Sequence, residues 1–208
     1  RDDLLGYTYF LGDEFYEGSQ GGEDQSGNPN SGMLSNAINE GRSIIHYTGH
    51  GSTSSWATTS FHVNDINALT NNNTLPFVCS VGCVNGNYVN YTCFAEAWLR
   101  ATHNGNPSGG IAVFASTVNQ YWAPPMDAQD EMVDILVESY EDNIKRTFGG
   151  ISFNGCLHMN DEYGQSGYDM TDTWTIFGDP SLEVRTDTPV QLTVLHDPEI
   201  AEGSLEFQ

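Results

Sequence analysis

The chain is 208 residues long and carries 28 Asp+Glu against 6 Lys+Arg, a formal net charge of −22. So acidic a surface repels polyphosphate backbones and anionic bilayers, which excludes nucleic acid as an expected partner. No apolar run approaches the roughly eighteen residues a membrane-inserted helix needs, so membrane insertion is not expected either.

The opening RDDLLGYTYF has neither an initiator methionine nor a charged-then-apolar leader, and reads as part of something longer. Residues 12 to 31, rich in Gly, Asn and acids with no hydrophobic period, read as a long surface loop. SGMLSNAINEG then predicts a short helix with Ser31 as its cap and Gly41 at its stop. The strand SIIHY follows, then a short helix in FHVNDINAL through Val63, Ile66 and Leu69, then the strand LPFVCSVGC. CFAEAWLRATHNG reads as a helix to about Thr102, GGIAVFAST as a buried strand, and MDAQDEMVDILVESY as an amphipathic helix. Apolar strands alternating with helices predict an α/β fold, a mainly parallel sheet with helices on both faces. From Asp187 the chain alternates apolar and polar residues between Pro and Gly, the opening of an all-β module. The division is therefore 1–186 and 187–208.

The expected site lies where active residues of a parallel sheet gather, at the strands' carboxyl ends. His50 sits between Gly49 and Gly51 just past SIIHY, and Cys83 just past FVCSV, an interval that fits one crossover. Imidazole and thiol on one sheet edge form a plausible Cys/His dyad, with the amides of Gly51 and Cys83 as oxyanion donors. On these residues alone a second reading stands beside it: the glycines make a turn, and Cys83 is a buried apolar residue like most free cysteines. GCVNGN, rich in turn formers, weighs against a core position. Four cysteines are too few for a disulfide scaffold, and an extended 79–83 segment would hold its two sulfurs about 13 Å apart. A zinc site from Cys79 and Cys83 lacks a second close ligand pair. His158, near Cys156, reads as a core or loop histidine.

Five blocks in order, YTGHGSTSSW, CVNGNYVNYTCFAEAWLRA, STVNQYWAPPMDAQDEM, NIKRTFGG and DTWTIFGDPSLEVRT, resemble the catalytic domain of the gingipains, most of all the arginine-specific ones. The resemblance implies a caspase-like fold and a secreted or cell-surface cysteine endopeptidase cleaving after a basic residue, arginine first. It implies His50 as catalytic histidine, Cys83 as nucleophile, Gly51 and Cys83 amides as oxyanion hole, and Gln120, Trp122 and Met126 as lining for the basic side chain. An aromatic face and a thioether suit a long aliphatic stem. In the family the acid that pairs with the guanidinium, and an acid near the histidine, lie upstream of the segment matching DDLLGYT. The implied partners are thus polypeptide substrates and the upstream part of the chain's own catalytic domain. No cofactor is required for the chemistry, a structural calcium is a family expectation, and the tail from Asp187 is similar to the start of an immunoglobulin-like domain. Two rivals share the fold: a sortase-like transpeptidase that resolves the acyl-enzyme with an amine, and a non-catalytic surface or adhesion module.

Overall fold

The computed structural model describes residues 1–17 and 28–186. The all-β module expected from Asp187, and the middle of the acid-rich stretch 12 to 31, lie outside the described residues. In chain order the elements are α1 (Asp2–Tyr7), α2 (Ser31–Asn39), β1 (Ile44–Thr48), β2 (Gly51–Ser52), β3 (Ser55–Trp56), β4 (Phe61–His62), α3 (Val63–Asn67) and β5 (Phe77–Val81). Then come α4 (Phe94–Arg100), β6 (Thr102–His103), β7 (Asn106–Pro107), β8 (Ala112–Ser116), α5 (Ala123–Leu136), α6 (Phe148–Tyr163), α7 (Gln165–Thr171) and β9 (Trp174–Phe177).

The central sheet has the order β1-β5-β8-β9. β1, β5 and β8 run parallel, with Ile44 opposite Phe77 and Thr48 opposite Val81, whereas β9 is antiparallel to β8. Every residue of β5 and β8 is buried, as expected of strands covered on both faces. Their alternation splits the core. Val78, Val113 and Ala115 face an aromatic cluster of Trp56, Phe61, Phe94 and Trp98 beside α2, α3 and α4. Phe77, Cys79, Ala112 and Phe114 face Met132, Ile135, Ile151 and Met159 on α5 and α6. Trp56 and Phe94 pack with tilted rings 4.9 Å apart between centroids, and Trp98 is fully buried, so truncating Trp98 to Ala costs about 3–5 kcal/mol.

Several local expectations shift. The α2 cap is Asn30, whose side chain accepts from Met33 N, and Ser31 is already helical. The crossover from β1 to β5 contains the expected short helix, α3, which ends at Asn67 before Leu69, and adds the small sheet β2-β3-β4 ahead of it. α4 stops at Arg100 because the chain turns into the β6–β7 hairpin, with Asn104 and Gly105 both at positive φ. α5 begins at Ala123, upstream of the expected Met126, with Pro124 and Pro125 in its first turn where no amide is needed. β5 ends at Val81, so Cys79 and Cys83 do not share an extended strand: Cys79 is buried and Cys83 lies in the turn beyond. The longest helix, α6, was not expected. His158 stands on its partly exposed side, neither core nor loop, with Nε2 3.3 Å from Asp127 of α5.

Candidate active site

β1 and β5 are adjacent and parallel, so the chain leaves both at the same sheet edge, His50 after one and Cys83 after the other. Gly49 donates its amide to the carbonyl of Val81 at 3.1 Å, joining the two exits directly. The His50 carbonyl accepts from Tyr47 Oη at 2.7 Å and from Ala57 N at 2.9 Å. That second bond makes His50/Ala57 a hydrogen-bonded pair of the β2–β3 hairpin, so Gly51/Trp56 is the next, non-bonded pair and the Gly51 N–H points away from β3. Glycine is needed here: a Cβ at Gly51 would stand 2.8 Å from the carbonyl oxygen of Cys83. The two loops therefore touch.

The turn after β5 is pinned from the other side. Val84 N donates to Val118 O at 3.0 Å and Gly86 N to Ser116 O at 2.8 Å, which ties the Cys83 loop to the segment leaving β8. Gln120 N donates to Cys83 Sγ at 3.4 Å. The Cys83 amide itself has no hydrogen-bond partner among the described residues. Cys83 is partly exposed, while Cys79, Cys93 and Cys156 are buried. Burial pushes the Cys79 and Cys156 thiols up to about 12, and raises that of Cys93. Those three are protonated and inert near neutral pH.

Trp122 caps α5 and packs edge-on against the His50 ring, with centroids 5.2 Å apart. α5 is held to the sheet edge by Gln129, whose side chain accepts from Thr48 Oγ1 at 2.6 Å and donates to the carbonyls of Tyr47 and Cys79. Met126, 41% exposed, is not a core residue; it faces a groove of about 850 Å³ along β1, shared with Thr48, Gln129 and Asp130. That groove reaches neither His50 nor Cys83. Gln120 keeps both side-chain amide atoms buried without a partner among the described residues. The structure thus brings His50, Gly51, Cys83, Gln120 and Trp122 together, with Met126 one helical turn further on. Sequence reasoning missed Tyr47, Gln129 and Asn85, which hold these loops; nothing in their local pattern separates them from ordinary strand, helix and turn residues. For calcium, the described residues contain no group of three or more His, Cys, Asp or Glu side chains able to hold a metal ion. Among them no helix is long and apolar enough to cross a membrane.

The sequence profile of Peptidase family C25 matches residues 6–185. Gingipain R2 of Porphyromonas gingivalis is 48% identical over 173 residues, 83% of this chain and 24% of that protein. Gingipain R1 of the same organism is 51% identical over 159 residues, 76% of this chain and 16% of that protein. The crystal structure of the Arg-specific cysteine proteinase gingipain R superposes with a TM-score of 0.78 at 47% identity, covering 85% of this chain and 41% of that one. The chain therefore spans less than half the length of each relative. The likeness to that solved fold bears out the α/β, caspase-like architecture with its mainly parallel sheet. On the extent of these matches, this chain belongs to Peptidase family C25.

Proposed function

We propose that this chain carries the nucleophile and histidine of a secreted or surface cysteine endopeptidase that cleaves polypeptides after arginine. The observation that supports it most is the contact between the His50 and Cys83 loops at the carboxyl edge of adjacent parallel strands, with Gln120 N donating to the sulfur. Around it stand the similarity to the gingipains R and the indole of Trp122 beside the histidine.

In this reading the Cys83 thiolate attacks the scissile carbonyl carbon and forms the C–S bond. The developing oxyanion lies toward the amides of Gly51 and Cys83, the one turned off its ladder and the other without a partner. His50, as imidazolium, gives its proton to the leaving amine as the C–N bond breaks, leaving a thioester. Neutral His50 then takes a proton from water, which attacks the thioester, and the thiolate departs. Trp122 and Met126, both exposed, receive the aliphatic stem of the arginyl side chain, and Gln120 lies beside them. The partner that completes the substrate cleft is the upstream part of the same protein. Cys83→Ala in the full parent protein is expected to abolish peptide hydrolysis; thiol-dependent turnover that survives it contradicts the assignment.

A further inference from the structure

Asn85 lies two residues past Cys83, in a turn whose composition announces a surface loop, yet it is fully buried. Its side chain has no spare donor. Nδ2 donates to the carbonyl of Ser52 at 2.6 Å and of Ser55 at 3.1 Å, while Oδ1 accepts from Ser80 Oγ at 2.8 Å. Ser80 Oγ accepts in turn from Trp56 Nε1 at 2.8 Å, and the Asn85 carbonyl accepts from Ala95 N at 3.0 Å in the first turn of α4. Ser52 and Ser55 form the hairpin that starts at Gly51, directly after His50; Ser80 sits on β5, shortly before Cys83. A single amide therefore bridges the histidine's loop, the thiol's strand and the thiol's turn.

The fit leaves no slack. A Cβ would stand 2.5 Å from Asn85 Oδ1 if placed on Gly82, and 2.9 Å from it if placed on Gly51. Between Cys83 and Asn85, Val84 has φ +52, a conformation that a β-branched residue resists, so the turn does not relax into this shape unaided. Two carbonyls ask for two donors and a hydroxyl asks for an acceptor; a side-chain amide supplies both, whereas a carboxylate would face the two carbonyls with oxygen.

The geometry points to Asn85 as a positioning residue, an amide clamp that sets His50 and Cys83 at working distance without touching substrate. It rests on the reading of Cys83 and His50 as a dyad, because what the clamp holds is the thiolate–imidazolium pair. Misplacement of such a pair by about 1 Å costs on the order of 10²-fold in rate.

The test uses the full parent protein, with kcat and KM on an arginyl peptide and the pH dependence of Cys83 alkylation by iodoacetamide. A matched control exists in Asn71, equally buried, which donates to the carbonyls of Thr74 and Gly109 and accepts from Gly109 N at the opposite edge of the sheet. Asn85→Ala is expected to lower kcat on the order of 10²-fold with little change in KM. It should also shift the midpoint of the pH profile of Cys83 alkylation, which a purely structural role would leave in place. Asn71→Ala should lower the melting temperature and leave kcat and the midpoint where they were. Should Asn85→Ala fail to fold, Ser80→Ala removes one member of the network and should move both readouts the same way by less. Wild-type kcat and midpoint in the folded Asn85 variant, or in Ser80→Ala where Asn85→Ala does not fold, overturn the clamp; so does an equal shift in Asn71→Ala. If Cys83→Ala retains turnover the dyad itself falls, and the clamp with it; if Cys83→Ala is inert and the Asn85 variant is unchanged, only the clamp falls.

Discussion

The backbone amide of Gln120 donates to the sulfur of Cys83 across 3.4 Å, so the segment leaving β8 holds the thiol that follows β5. Loss of a hydrogen bond to a charged group costs about 1.5–3 kcal/mol, a factor of roughly 10 to 150 in rate where the proposed thiolate attacks. Gln120→Pro removes that N–H and Gln120→Ala keeps it. On an arginyl peptide kcat should fall roughly 10-fold or more in the proline variant and stay near wild type in the alanine variant. Equal kcat in the two variants would mean that the amide does not hold the sulfur.

The four thiols differ in burial more than in any other respect. With Cys79 and Cys156 pushed up to about 12 and Cys93 raised by burial, only Cys83 is open to reagent in the folded protein. Brief iodoacetamide treatment at neutral pH followed by peptide mapping should find carbamidomethyl on Cys83 alone. Labelling of Cys79 at a comparable rate would contradict the packing of β5 against α5.

At Gly51 the two loops approach so closely that a methyl group would press on the Cys83 carbonyl and the Asn85 amide. Gly51→Ala should therefore spread the loops and lower kcat by a factor on the order of 10² while KM changes little. A variant with wild-type kcat would place the contact outside the reacting geometry.

The rings of Trp122 and His50 meet in a T-shape with centroids 5.2 Å apart, and in the proposed reading the indole also receives the cationic side chain. Loss of a cation–π contact costs about 0.5–2 kcal/mol, so Trp122→Ala should lower kcat/KM for arginyl substrates roughly 2- to 30-fold. The fall should be smaller for a norleucyl substrate, which keeps the stem and lacks the charge. Equal kcat/KM for wild type and variant on arginyl and lysyl substrates would remove Trp122 from the pocket.

What could be read in advance follows from how each element is stabilised. β1, β5 and β8 are apolar runs bounded by turns, and their carboxyl ends located His50 and Cys83 without any tertiary information. α6 escaped because its apolar face is interrupted by Gly149, Gly150 and Gly155. Gly155 is there for a tertiary reason: a Cβ would stand 2.6 Å from the Ala128 carbonyl of α5. The β6–β7 hairpin does carry a local sign, the Asn104–Gly105 pair, just past the expected helix end at about Thr102. The direction of β9 is set by its pairing with β8, beyond the reach of periodicity. Asn85 looks like a turn former because its burial is imposed by Ser52, Ser55 and Ser80, residues distant in sequence that only the folded sheet assembles.

The central claim is that His50 and Cys83 act as one unit on a basic substrate. The most direct measurement treats the full parent protein with arginyl and lysyl acyloxymethyl-ketone probes and maps the modified cysteine. Covalent labelling of Cys83 by the arginyl probe, faster than by the lysyl one and lost in His50→Ala, is the predicted result. A folded parent protein in which neither probe labels Cys83, or in which His50→Ala labels as fast as wild type, would contradict it.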